Sequence, residues 1–168
     1  MGTLKPRFPT LAFLLLAGSF MAGCVAAAAP ADWRTWNLGA FQMRAPADLR
    51  HAAGGIDSQA GALTTAALRI DYDFGLYSDP LDRRADTLDY QSRAGTVDGL
   101  TARFVRYRIA PAGPQAGQSC SGVHVPEVRS SGMGSLALTV LACADHADDL
   151  RDVPAMLASI RFQAPPRR

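Results

Sequence analysis

The chain has one lysine, Lys5, and one glutamate, Glu127, so arginine and aspartate carry nearly all of its charge. A GC-rich genome produces such a bias, although the arginine fork also suits recognition of carboxylates and phosphates. Catalytic signatures are missing as well. There is no Gly-x-Ser-x-Gly elbow, no His-Glu-x-x-His pair, no phosphate loop and no dinucleotide fingerprint, so no cofactor is implied. The three histidines, His51, His124 and His146, are scattered and read as exposed loop or strand residues rather than general bases. The net charge is only +2, and Lys5 and Arg7 account for it, which leaves no electrostatic footprint for nucleic acid. Internal repeats and a second apolar core are also absent. What remains is an ordinary globular composition, 48% apolar and 19% charged over 168 residues, enough for one domain and an N-terminal extension.

The extension has the anatomy of a bacterial export signal. Lys5 and Arg7 form a basic region, and the apolar residues 11–17 that follow are too few to span a membrane comfortably. Met21-Ala22-Gly23-Cys24 then resembles a lipobox, where lipoprotein signal peptidase cuts before a cysteine that becomes acylated. On this reading residues 1–23 are the signal peptide, 24–32 an Ala/Pro tether, 33–163 the domain and 164–168 a disordered tail. Acyl chains on Cys24 would hold the protein to a membrane. Val25 in place of aspartate points, by resemblance to lipoproteins, to the outer membrane, facing the periplasm. The competing readings are cleavage after Ala28 or Ala29, giving a soluble periplasmic protein, and an uncleaved anchor.

Within the domain the longest apolar run is Ser135-Leu-Ala-Leu-Thr-Val-Leu-Ala-Cys-Ala144, which predicts a buried strand at the centre of a sheet. Folding the chain back between Ser131 and Gly132 sets Val125 opposite Leu138, Val123 opposite Val140 and Cys120 opposite Cys143. Residues 33–36 and 41–44 alternate and form an opening hairpin. Pro46 ends it, and residues 47–55 read as loop. Residues 68–75 alternate most cleanly, with Leu68, Ile70, Tyr72 and Phe74 on one side and Arg69, Asp71 and Asp73 on the other. Asp98-Gly99 predicts a tight hairpin between strands 89–97 and 100–109. Pro126 predicts an unpaired outer side for residues 121–128. Asp152 caps a short helix that runs to Ser159, and residues 159–162 offer a last strand. The fold class expected is α+β, a largely antiparallel sheet with one or two flanking helices, in a single domain.

Four motifs carry a resemblance: Gly55-Ile56-Asp57-Ser58, Asp71-Tyr72-Asp73-Phe74-Gly75-Leu76-Tyr77-Ser78, Val97-Asp98-Gly99-Leu100-Thr101-Ala102 and Met156-Leu157-Ala158-Ser159-Ile160-Arg161-Phe162. Together they resemble small exported bacterial proteins organised like the PsbP-like fold family, over roughly residues 33–162. The resemblance implies an antiparallel sheet flanked by helices, and a module that binds partners rather than turning over substrate. It carries over no functional residue.

The candidate chemistry lies in three places. Cys120 and Cys143 are expected to form a disulfide in an oxidising compartment; with Cys24 acylated, no odd cysteine remains. The rivals are free thiols and a zinc site with His124 and His146, but Cys120 and His124 would lie about 13 Å apart on an extended strand, too far for one tetrahedral ion. Asp71 and Asp73, joined by Asp57 and Asp79, form an acidic face for a hard cation or for acid–base work. The alternative is that Arg69, Arg103, Arg106 or Arg108 pairs with them on a solvated face. Tyr77, Ser78, Asp57 and Ser58 make up the loop side of the same candidate surface, where Asp57 and Ser58 also serve as plain turn formers. The functional expectation is a lipid-anchored envelope domain of non-catalytic type, binding a protein or small ligand. An envelope hydrolase or a metal-binding protein using the acidic face is the alternative.

Overall fold

The alternation of Leu68, Ile70, Tyr72 and Phe74 with charged residues builds strand β5 (Leu68–Gly75), and those four side chains are buried on one face. In the computed structural model, which describes residues 32–55, 58–113 and 115–164, this face is the floor of the core. Cys24, Asp57, the signal peptide, most of the tether and the tail beyond residue 164 lie outside the described residues.

Seven strands form the main sheet, all neighbours antiparallel: β3 (Arg50–Gly54), β4 (Gln59–Thr64), β5, β6 (Thr87–Val97), β7 (Leu100–Ile109), β8 (Ser119–Ser131) and β9 (Gly134–Ala144). Their spatial order is β3-β4-β5-β9-β8-β7-β6, which puts the most apolar strand, β9, at the centre as expected. Across the inner face the register makes continuous rows. One runs Arg93–Phe104–Val123–Val140–Tyr72–Gly61, and the next Gln91–Arg106–Ser121–Ala142–Ile70–Leu63. Both are apolar in the middle and polar at the β6 end.

A second layer covers the middle and the β3 side of this face. β1 (Trp33–Asn37) and β2 (Phe41–Pro46) form the opening hairpin, and β10 (Arg161–Phe162) pairs with β2. Phe41 packs edge-on against Tyr72, ring centroids 5.6 Å apart. Helix α1 (Val153–Ala158) contributes Val153, Met156 and Leu157 to the core and packs on β2 and β8. The fold is therefore a sheet-rich, antiparallel α+β domain with one short α-helix among the described residues.

The outer face is crossed by a strap, residues 76–86, which carries the chain from β5 over β9, β8 and β7 to the far edge strand β6. Ser78 Oγ donates to the Asp73 carbonyl at 2.8 Å, Thr139 donates to the Asp79 carbonyl, and Tyr90 Oη donates to the Leu81 carbonyl at 2.8 Å. Arg103 reaches up from β7 to the Pro80 carbonyl and to Asp82.

Several expectations need correcting. Residues 47–55 are not all loop, since β3 pairs with β4 from Arg50↔Thr64 to Gly54↔Ala60. Every β3 residue is exposed, so no apolar alternation marks it. The β8–β9 pairs at Cys120, Val123 and Val125 stand as expected, but the turn lies one residue later, with Ser131 opposite Gly134. The difference is absorbed by a bulge between Val125 and Arg129, where Pro126 has no N–H to give the ladder. The outer side of β8 is paired with β7 as far as His124, so it is open only beyond that point. Asp152 holds the N-cap position of α1 without a side-chain cap bond. Asp98 and Gly99 do turn the β6–β7 hairpin with φ of 50° and 81°, and Asp98 Oδ2 also accepts from Phe162 N at 2.9 Å.

Candidate functional site

Of the expected acidic and loop surface, Ser58, Asp73 and Ser78 lie close together around Gly75, Asp71 is taken up by Arg69, and Asp57 lies outside the described residues. Arg69 and Asp71 share a 2.6 Å ion pair, with both side chains about half exposed, and the contact raises the Arg69 pKa. Asp73 stands beside Thr139 in register, and its Oδ1 is buried without a hydrogen-bond partner. Ser58 packs against Gly75, where a Cβ would come within 2.9 Å of the Ser58 Cβ. Ser78 is only 7% exposed beneath the strap, while its neighbour Tyr77 is 91% exposed. Arg103, Arg106 and Arg108 do not reach Asp71 or Asp73, because β7 is separated from β5 by β9 and β8. Instead Arg103 pairs with Asp82 at 2.8 Å, and Arg108 with Asp89 at 2.9 Å. Among the described residues no three His, Cys, Asp or Glu side chains gather as a metal site.

Cys120 and Cys143 face each other on the outer side with Cα atoms 4.2 Å apart and are joined by a disulfide. That is the close spacing of a non-hydrogen-bonded antiparallel pair. It leaves neither sulfur free as a zinc ligand.

His124 was expected to be exposed and is not: it is buried at 8% exposure beside Thr139. Because the Thr139 hydroxyl donates to Asp79, it accepts from His124 Nδ1, 3.0 Å away, so Nδ1 carries the proton. Burial lowers the pKa of His124 and the neighbouring Arg103 lowers it further, against the smaller pull of Asp79 and Asp82. A shallow hollow of about 500 Å³ lies alongside, lined by Pro80, Arg103, His124 and Pro126. Asp82 and Arg93 line it too; Arg103 pairs with Asp82 there, while its Nε is buried without a partner.

The inner face offers a different place. α1 reaches β8 but stops short of β7 and β6, and between them lies a trough. Arg93, Phe104, Arg106, Ser121, Pro154 and Leu157 line its first part, a cavity of about 230 Å³. A second cavity of about 260 Å³ continues past Gln91 and Arg106 toward Arg108, Ser119 and Leu150. Phe104 forms the floor, and the Arg93 guanidinium rests on its ring 4.4 Å from the centroid. Asp89, the carboxylate in the trough, is held by Arg108. Among the described residues neither Arg93 nor Arg106 enters an ion pair.

Ser121 is the buried hydroxyl beside Arg106, and His124, three residues further along the same strand, projects from the opposite face. The two cannot meet as nucleophile and base. Sequence reasoning recognised the strand that carries Phe104 and Arg106. It had no means of telling that this face of it would be left uncovered by a helix of six residues. Comparison of the chain with protein-family models and with curated proteins returned no match in either.

Proposed function

We propose that the protein is a lipid-anchored domain of the cell envelope, of the PsbP-like fold family, that acts without catalysis by binding a protein or small ligand. The single observation behind the binding reading is the trough between α1 and the β6–β8 face, which combines an apolar wall and floor with arginines that lack carboxylate partners. Anchoring is supported by Met21-Ala22-Gly23-Cys24 behind a basic and apolar leader, and the outer membrane by Val25. The antiparallel sheet layered with a hairpin and a helix is compatible with the family resemblance.

The test has two parts. A photo-crosslinking side chain at Gln91, in the trough, should capture the same ligand or partner reproducibly in intact cells, and one at Arg50, on the far edge strand, should not. Equal capture at both positions, or none at Gln91, overturns the binding reading. Cys24→Ser should release the protein from membranes and abolish its lipid mass increment; unchanged fractionation and mass overturn the anchor.

A further inference from the structure

We infer that the trough beside α1 binds a small organic anion, a carboxylate or phosphate ester on a flat or apolar body, with Arg93 and Arg106 holding the charge. This rests on the binding reading above and gives it a ligand class.

The register places Arg93 and Arg106 on adjacent rows of neighbouring strands, on the same face of the sheet. Both line the cavity of about 230 Å³, and among the described residues neither enters an ion pair. Arg69, Arg84, Arg103, Arg108 and Arg161 each pair with an aspartate. In the trough the one carboxylate lining it, Asp89, is turned to Arg108, which leaves the Arg93–Arg106 side positive. The planar fork of arginine matches the two oxygens of a carboxylate or phosphate in a way that an isolated point charge does not.

The neutral part of the ligand is defined by the other surfaces. Pro154 and Leu157 give an apolar wall, and the Arg93 guanidinium lies over the Phe104 floor, which fixes its position before a ligand arrives. Gln91 and Ser121 flank Arg106 in its own row and supply neutral hydrogen-bonding groups. Cavities of about 230 and 260 Å³ lie at or below the small end of ligand sites, roughly 300–1,000 Å³, so the occupant is a small molecule.

Calorimetric titration of the full-length, detergent-solubilised protein with benzoate, phenyl phosphate, inorganic phosphate and benzyl alcohol tests the inference. Benzoate and phenyl phosphate should bind, inorganic phosphate more weakly than its phenyl ester, and benzyl alcohol not measurably. Arg106→Gln and Arg93→Gln should each weaken benzoate about tenfold or more, the range expected for losing a charge-assisted hydrogen bond. Arg69→Gln, on the opposite face, should leave it unchanged, and circular dichroism should show all three variants folded. Benzyl alcohol binding as well as benzoate, or benzoate binding unaffected in both trough variants, overturns the anion assignment. Inorganic phosphate binding as tightly as phenyl phosphate overturns the organic body. If no probe binds while the Gln91 crosslinker still captures a partner, the anion assignment falls and the binding reading stands. Loss of both removes the two together.

Discussion

Leu81 of the strap fills the space over Gly122 on β8. A Cβ on Gly122 would meet Leu81 Cδ1 at 3.0 Å and the Val140 carbonyl oxygen at 2.7 Å. The second contact is with backbone and cannot be relieved by a rotamer change. Gly122→Ala is therefore expected to cost about 1–3 kcal/mol, and Leu81→Ala about 2–5 kcal/mol by emptying the same space. Urea unfolding curves measure both, and a neutral Gly122→Ala would show that the strap is not seated as described.

His124 gives the fold an acid sensitivity. Its folded pKa is depressed, chiefly by burial, so the unfolded chain takes up this proton more readily than the folded one. Stability should be unaffected by this residue well above the ordinary value of 6.5 and should fall as the pH drops below it, levelling off beneath the folded pKa. Unfolding curves at a series of pH values should show that His124→Gln flattens this slope.

The Cys120–Cys143 bridge closes a loop with a sequence separation of 23. On the chain-entropy account that is worth about 3 kcal/mol. The double Cys120→Ala, Cys143→Ala variant should lose about that much. In the native protein both cysteines should resist alkylation until a reductant is added, as judged by mass spectrometry.

Tyr72 crosses β4 where Gly61 leaves room, and its hydroxyl lies 2.8 Å from His51 Nε2. A Cβ at residue 61 would come within 2.5 Å of that hydroxyl and 2.7 Å of the Ala52 carbonyl. Gly61→Ala should displace the ring, with a change in near-ultraviolet circular dichroism and a loss of about 1–3 kcal/mol. Tyr72→Phe keeps the ring and gives up only the hydrogen bond, so it should cost about 1 kcal/mol.

Strands β5, β7 and β9 could be read directly because each carries apolar residues at every second position or in one run, and the β8–β9 pairs from Cys120 to Val125 could be anticipated, whereas the bulge at Pro126 that shifts the turn by one residue could not. β3 and β4 were illegible for a physical reason. β3 is an edge strand with every residue exposed, and Ala60, Gly61 and Ala62 in β4 are small. Pairing with β5 holds them, not an apolar pattern of their own. The candidate site was harder still. Its residues come from β6, β7, β8 and α1, and what makes them a site is the place where α1 ends. The acidic residues drew attention because they share a strand face, yet Asp71 lies with its own neighbour Arg69 and Asp73 beside Thr139. Ser78, three residues beyond β5, turned out to be an attachment point of the strap rather than part of an open surface.

The strap also determines the order in which the sheet can be completed. β3 to β5 can pair as they emerge, and so can β6 with β7, but residues 76–86 hold these two groups apart by the width of two strands. Only the β8–β9 hairpin, made last, fits between them as a keystone. The decisive contacts are thus far apart in sequence, a topology that folds slowly because loop closure precedes any gain from pairing. A nascent chain stopped before Gly134 would hold two unjoined antiparallel fragments, each with an apolar side still facing water.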